Sequence, residues 1–181
     1  MRKVILNVAV SLDGLIEGPN GEYDWCFVDQ DYGMSAFFDE IDAVFIGRKS
    51  YELVRTMPEM LAGKKVYVFS DTLVPGENEN VEVISSADFE HAVEGILNEA
   101  GKNIWLFGGA SLLSALLNKN WVTEMLLSIH PIVLGEGKPL FAGIKDRIKL
   151  QVTGQQIYDT GLVQIRYTVM PKFDMEMLKM L

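Results

Sequence analysis

NIWLFGGASLLSALLN, residues 103–118, joins a short apolar run, two adjacent glycines and a leucine-rich segment. The run 103–107 is bounded by polar residues and glycine, as is typical of a buried strand, and 110–118 carries apolar residues at helical spacing. The stretch therefore predicts a strand that turns through Gly108-Gly109 directly into a helix. Backbone amides and the helix dipole at such a turn can hold a phosphate group, although a plain tight turn is the alternative interpretation.

The same alternation extends outward from this stretch along the chain. Strand-like runs occur at 3–10, 43–47, 65–70 and 81–85. Apolar residues recur at helical spacing in the segments 34–41, 49–57 and 87–100. This order predicts a single-domain α/β fold with a mostly parallel central sheet and helices on both faces. The last third differs, because 124–133, 149–158 and 162–170 are strand-like with no helix between them. The turn residues Asp159-Thr160-Gly161 predict a C-terminal antiparallel hairpin.

Composition limits the function classes. The chain has 181 residues, 49% of them apolar, and we interpret 1–170 as one domain followed by a Met-rich tail at 171–181. A net charge of −9 argues against a nucleic-acid partner. The N-terminal apolar run is too short for a signal peptide or a membrane span, which predicts a soluble, cytoplasmic protein without a membrane partner. A single cysteine, Cys26, excludes an internal disulfide and a cysteine-based zinc site.

A second phosphate-binding element is predicted at Gly47-Arg48-Lys49-Ser50, where another strand ends and a helix begins. Two cations at a helix start are unfavourable unless an anion compensates them. Arg48 can fork onto a phosphate, Lys49 can act as a point charge, and Ser50 can donate a hydrogen bond. The dinucleotide fingerprint G-x-G-x-x-G and the P-loop pattern are both missing from the sequence, so it matches neither of those nucleotide-binding classes.

Acidic residues follow the first strand and precede the first helix. Asp13 and Gly14 lie in a loop over 11–21, where Asp13 can cap the turn through the backbone or take part in chemistry. Asp29 and Asp31 follow Trp25 at the entry to the first helix. These carboxylates are our candidate catalytic residues.

Several ordered motifs together resemble the dihydrofolate reductase superfamily, specifically its riboflavin-biosynthesis reductase branch, the C-terminal domain of the bifunctional deaminase-reductase. The resemblance runs from Val4 to about Tyr167. It rests on four segments: Ser11-Leu12-Asp13-Gly14, the run from Asp42 through Gly47-Arg48-Lys49-Ser50, Trp105-Leu106-Phe107-Gly108-Gly109-Ala110, and residues 127–141 with their Gly135-Glu136-Gly137-Lys138-Pro139 core. The zinc signature of a deaminase half is missing, which leaves a reductase domain alone.

The resemblance implies NADPH as the cofactor, with Arg48 or Lys49 selecting it through the 2′-phosphate. Ser70 and Asp71 would lie near the adenosine, the loop 11–21 would fold over the nicotinamide, and the Gly108–Gly109 peptide bond would be cis. The implied cofactor-binding residues are Val10, Gly14, Ile16, Gly47, Arg48, Lys49, Ser50, Ser70, Asp71, Phe107, Gly108, Gly109, Ala110 and Ser111.

The resemblance also implies one carboxylate that holds the substrate ring, for which Asp31 and Asp29 are equal candidates. Trp25, Ser35 and Arg55 are the residues expected to bind substrate, and His130 is interpreted as structural because it precedes a proline. The implied function is reduction of a riboflavin precursor such as 5-amino-6-(5-phosphoribosylamino)uracil. A reductase of a pterin or another conjugated ring, and a non-catalytic NADPH-binding module, remain alternatives. A homodimer through 129–141 and the tail is also expected.

Overall fold

The computed structural model of the protein describes residues 1–74, 76 and 78–171. A central sheet of eight strands runs in the order β5-β4-β3-β6-β1-β7-β10-β9, and β2 and β8 form a separate two-stranded ribbon. The strands are β1 (Val4–Ser11), β2 (Leu15–Glu17), β3 (Ile41–Gly47), β4 (Lys65–Phe69), β5 (Val81–Ile84), β6 (Asn103–Gly108), β7 (Glu124–His130), β8 (Lys138–Pro139), β9 (Leu150–Ile157) and β10 (Val163–Val169). The helices are α1 (Met34–Glu40), α2 (Arg48–Val54), α3 (Phe89–Asn98) and α4 (Ala110–Asn118), and a 3-10 helix spans Pro58–Leu61.

Every pairing from β5 to β7 is parallel, whereas β10 pairs antiparallel with both β7 and β9. Tyr158 and Leu162 close the β9–β10 turn through a backbone hydrogen bond of 3.0 Å, and Gly161 adopts the positive φ of 86° that the turn requires. The α/β fold with its mostly parallel sheet and C-terminal antiparallel hairpin is therefore confirmed.

Two apolar cores pack on opposite faces of the sheet, because the central strands carry apolar residues at successive positions. On β3, Phe45 faces the core formed with α3 and α4, and Val44 faces the core formed with α1 and α2. Both side chains are fully buried. The helices therefore cover both faces, as the element order predicts.

Several predicted boundaries differ from the structure. Strand 124–133 ends at His130, because Pro131 has no amide hydrogen to donate to a neighbouring strand. Helix 87–100 is shorter, from Phe89 to Asn98. The β2–β8 ribbon was not predicted, and the predicted tail at 171–181 lies outside the described residues apart from Pro171. Across the described part of the chain, the helices are all too short or too polar to cross a membrane.

A cluster of charged side chains holds α1 against the antiparallel edge of the sheet. Arg166 on β10 binds both carboxylate oxygens of Glu40, at 2.8 and 3.2 Å, and donates to Glu124 at 2.9 Å. Lys3 also donates to Glu124, at 2.7 Å. Burial alone would raise the pKa of Glu124, but the hydrogen bonds from Lys3 and Arg166 outweigh it and lower that pKa. Arg166 therefore compensates a carboxylate that is mostly removed from water.

We expect Arg166→Met to lower the free energy of unfolding by about 2 kcal/mol, because it leaves two neighbouring carboxylates without their shared partner. Urea denaturation of both proteins measures the difference. Arg147→Met, at an exposed position, is the matched control for loss of one arginine charge. Equal midpoints for the Arg166 variant and the wild type would contradict this interpretation of the cluster.

Candidate active site

Two neighbouring cavities open at the carboxyl ends of the parallel strands, where ligands bind in open α/β sheets. The first, here called the basic cavity, has a volume of about 470 Å³. It is lined by Gly47, Arg48, Lys49, Ser50, Phe69, Ser70, Asp71, Ile84, Ser85, Ser86, Phe89, Gly109, Ala110, Ser111, Leu112, Ala115 and Lys138.

The second, here called the apolar cavity, has a volume of about 770 Å³. It is lined by Leu6, Asn7, Val8, Ala9, Ile16, Glu17, Tyr23, Cys26, Phe27, Val28, Gln30, Asp31, Tyr32, Met34, Ser50, Leu53, Val54, Met57, Met60, Trp105, Phe107, Gly108, Gly109, Ala110, Leu113, Ser128, His130, Leu140 and Leu162. The two cavities are adjacent, because Ser50, Gly109 and Ala110 line both of them.

The shared wall is formed where the turns after β3 and β6 approach each other. The Gly108–Gly109 peptide bond is cis, as expected. A Cβ atom placed on Gly47 would lie 3.7 Å from the Gly108 carbonyl oxygen, and one placed on Gly109 would lie 3.7 Å from Ser50 Oγ. The two turns are therefore in van der Waals proximity at the wall that the cavities share. Gly109 caps α4 without a side-chain hydrogen bond, so the first amides of that helix are not used by a capping side chain.

Cations predominate on the described wall of the basic cavity. Arg48, Lys49 and Lys138 are opposed there by one carboxylate, Asp71. Arg48 is paired with Glu52 at 2.8 Å along α2. Hydrogen bonds from Ser86, one of them from its amide at 2.6 Å, lower the pKa of Asp71. In a chain with a net charge of −9, this local excess of positive charge suits an anionic ligand.

Asp31 lies on the wall of the apolar cavity, at the entry to α1. Its Oδ1 accepts hydrogen bonds from the Ser35 hydroxyl at 2.7 Å and from the Ser35 amide at 3.0 Å. These bonds lower the pKa of Asp31, so its carboxylate stays ionised at neutral pH. The turn that presents Asp31 has positive φ at Tyr32 and Gly33, 48° and 78°.

His130 is a buried residue of the apolar cavity wall, and it fixes the segment before α1. Its Nε2 accepts a hydrogen bond from the Phe27 amide at 3.1 Å, and its Nδ1 lies 3.0 Å from the Ser128 carbonyl oxygen. Burial lowers the pKa of His130. A neutral ring protonated on Nδ1 satisfies both contacts. The Trp25 ring packs edge-on against it, with centroids 5.2 Å apart.

With this geometry established, comparison with known proteins identifies the family. The sequence pattern of the RibD C-terminal domain matches residues 2–164, which is most of the chain. The chain belongs to the RibD C-terminal domain family. Membership of this family identifies an oxidoreductase domain of the reductase type.

Relatives of this RibD C-terminal domain include the uncharacterized protein YyaP of Bacillus subtilis, 41% identical over 92% of this chain and 94% of YyaP. A solved deaminase/5-amino-6-(5-phosphoribosylamino)uracil reductase of Thermotoga maritima superposes with a TM-score of 0.73 at 15% identity, over 93% of this chain and 57% of that one. Dihydrofolate reductase of Enterococcus faecalis, solved with NADP(H), superposes with a TM-score of 0.67 at 14% identity, over 93% and 97%. At these identities, the two structures show the shared fold.

The RibD C-terminal domain brings most of the predicted cofactor residues together. The basic cavity contains Gly47, Arg48, Lys49, Ser50, Ser70, Asp71, Gly109, Ala110 and Ser111. Ile16, Phe107 and Gly108 lie on the apolar cavity instead. The walls of both cavities, as far as the chain is described, do not include Val10, which is packed in the core, or Gly14.

The predicted substrate and catalytic residues are more dispersed in this RibD C-terminal domain. Asp31 lies on the wall of the apolar cavity, whereas Asp29 lies outside it and accepts a hydrogen bond from the Tyr32 hydroxyl at 2.7 Å. Ser35 and Trp25 do not line the described cavity walls. Ser35 donates a hydrogen bond to Asp31, and the Trp25 ring packs against His130. Arg55 is exposed at the end of α2, beside the wall residue Val54.

Sequence reasoning missed several residues of the apolar cavity. Asn7 is 8% exposed, and its backbone carbonyl oxygen accepts a hydrogen bond from the Trp105 indole N–H at 3.2 Å. The sequence does contain a signal for Asn7, because a polar residue inside an otherwise apolar strand is unusual. Leu53, Met57 and Met60 form another part of the wall, but in the sequence they are indistinguishable from ordinary apolar helix positions.

Asp13 tethers two loops of the RibD C-terminal domain. Its carboxylate accepts hydrogen bonds from the Ser11 hydroxyl at 2.6 Å and from the amides of Leu134 and Gly135 at 3.2 and 2.8 Å. The bonds from Ser11 and Gly135 lower the pKa of Asp13 to about 2. These contacts connect the loop before β2 to the loop before β8.

Because the pKa of Asp13 is lower in the folded protein than its usual 3.8, the tether stabilises the fold above pH 4. The contribution is lost as the pH falls toward 2. We expect Asp13→Asn to remove this part of the acid sensitivity, and thermal unfolding measured across that pH range tests it. Indistinguishable acid profiles for variant and wild type would contradict the assigned role.

Proposed function

We propose that this protein is an NADPH-dependent reductase that transfers a hydride to a conjugated bond of a small heterocyclic substrate. The observation that carries the proposal is the pair of contiguous cavities, one cationic and one largely apolar, which meet at Ser50, Gly109 and Ala110. A phosphate-bearing cofactor suits the first cavity and a flat ring suits the second.

The residues of the basic cavity fit NADPH. Arg48 and Lys49 supply the charge for the 2′-phosphate, and the α4 amides after Gly109 suit the pyrophosphate. Ser70 and Asp71 lie on the same wall for the adenosine end. When bound, NADPH supplies the hydride; the chain supplies orientation, exclusion of water and charge complementarity.

The residues of the apolar cavity act on the substrate. The ionised carboxylate of Asp31 accepts a hydrogen bond from a ring N–H group of the substrate. Because this carboxylate carries no proton, the proton that the reaction consumes comes from solvent. Ile16 and Glu17 on β2 lie on the cavity wall beside the shared residues. Their position on the wall supports the inference that the 11–21 loop covers the reacting atoms, as a water-excluding lid does.

A thermal-shift titration with NADPH and NADH tests the cofactor assignment, because a ligand at about 100 times its dissociation constant adds about 2.7 kcal/mol of stability. We expect clear stabilisation by NADPH and much less by NADH. NADPH oxidation with a panel of pyrimidines and pterins then tests reduction. Stabilisation without oxidation of any ring would favour the non-catalytic NADPH-binding alternative, and no stabilisation by either cofactor would contradict the proposal.

We also propose a homodimer formed through segment 129–141. Val133 and Phe141 in this segment are 65% and 45% exposed, which is high for large apolar side chains. Light scattering at micromolar concentration tests it. A monomeric mass would contradict the dimer.

A further inference from the structure

The charged side chains on the described wall of the apolar cavity are both acidic. Asp31 lies at one end and Glu17 on the β2 ribbon, and most of the remaining wall is aliphatic or aromatic. The described wall holds no lysine or arginine. The basic cavity next to it has the opposite composition, with three cations and one carboxylate. The two halves of the site therefore differ in the charge that they accept.

Two groups that could donate to an anion in the apolar cavity, the His130 ring and the start of α1 at Ser35, are already engaged in hydrogen bonds. Both ring nitrogens of His130 contact backbone atoms. The Ser35 amide and hydroxyl at the start of α1 both donate to Asp31, so a carboxylate of the chain already occupies the place that an anion would take. Lys138 lies on the basic cavity and is paired with Glu17 at 3.1 Å.

A phosphate group in the apolar cavity would lose water without gaining a free cation, and the Asp31 carboxylate would repel it, whereas Glu17 is already compensated by its ion pair with Lys138. We infer that the substrate is an unsaturated nitrogen heterocycle that carries no phosphate and is neutral or positively charged. This inference rests on the proposed function and narrows it, because the expected riboflavin precursor carries a ribose phosphate.

The wall indicates which features such a ring has. Phe27 and Phe107 offer aromatic surfaces, and Asp31 accepts hydrogen bonds from ring N–H or amino groups. In the reaction, a hydride from NADPH adds to the carbon of a C=N bond, which in a ribosylamino substituent is the imine formed when the ribose ring opens, and a proton from solvent adds to its nitrogen. The products are the CH–NH compound and NADP⁺, so electrons and protons balance.

The test compares 5-amino-6-(ribosylamino)uracil with its 5′-phosphate, two compounds that differ only in the phosphate. Each is titrated calorimetrically into the full chain saturated with NADP⁺, and NADPH oxidation is then measured with both. We expect the phosphate-free compound to bind at least about tenfold more tightly. Glu17→Gln should narrow the difference by about threefold, because it releases the Lys138 ammonium from its ion pair with Glu17 and leaves this cation free to attract the phosphate. Glu94→Gln, an exposed carboxylate on α3, should leave it unchanged.

Equal or tighter binding of the phosphorylated compound would overturn the inference, and so would failure of both compounds to bind the NADP⁺-loaded protein. Failure of NADP⁺ and NADPH themselves to bind would instead overturn the proposed function. The titration with cofactor therefore tests the proposed function, and the titration with the two uracil compounds tests the inference separately.

Discussion

Replacing Asp31 with asparagine is expected to lower kcat/KM about 100-fold, because the variant loses a charge-assisted hydrogen bond to the ring worth about 2.7 kcal/mol. The carboxylate is held by Ser35 and stays ionised at neutral pH, so its contribution is that of a fixed negative charge. Steady-state NADPH oxidation measures the loss, and the dissociation constant of NADPH should not change.

Asp29→Asn is the informative comparison, since Asp29 and Asp31 are equal candidates from the sequence. Asp29 contacts the Tyr32 hydroxyl and lies off the described cavity wall. We therefore expect a much smaller loss for it. A larger loss for Asp29→Asn than for Asp31→Asn would assign substrate binding to Asp29 and contradict our placement.

The second large effect is expected at the cofactor. Arg48→Ala should weaken NADPH binding about 30-fold, because a guanidinium–phosphate contact is worth about 2 kcal/mol. NADH binding should change little, since it has no 2′-phosphate. Calorimetric titration of both cofactors measures the selectivity, and Arg147→Ala, at an exposed position away from both described cavity walls, is the control.

Glu52→Gln offers the opposite change at the same place. In the structure, Glu52 holds Arg48 by an ion pair of 2.8 Å, and it competes with a phosphate for the same guanidinium. We expect Glu52→Gln to tighten NADPH binding by a few fold. Weaker binding in this variant would mean that Glu52 orients Arg48 toward the phosphate instead.

Much of the fold was predictable because its signals are local. The run before Gly108 is apolar at successive positions, as is typical of a strand covered on both faces, and the leucines after Ala110 recur at helical spacing. The β2–β8 ribbon was missed because it has no such local signal. Its strands have three and two residues, too few for a period, and their pairing joins segments more than 120 residues apart.

The site was predictable to a similar extent. The phosphate-binding segments Gly47–Ser50 and Gly108–Ser111 are recognisable in the sequence, because glycines, and in the first segment also charged residues, follow the end of a predicted strand. Ser35 and Trp25 were chosen by chemical type, but in the structure they engage Asp31 and His130. The spacing of four residues between Asp31 and Ser35 indicates such a pairing at a helix start. The contact between Trp25 and His130 depends on the tertiary fold, and no local pattern encodes it.

The position of β1 in the sheet has a consequence for how this protein is made. β1 is synthesised well before its neighbours in the sheet, β6 and β7, which begin at Asn103 and Glu124. Most of the chain must therefore leave the ribosome before the central strand can pair. Contacts at such sequence separation slow folding, and the unpaired apolar strand is exposed to aggregation meanwhile.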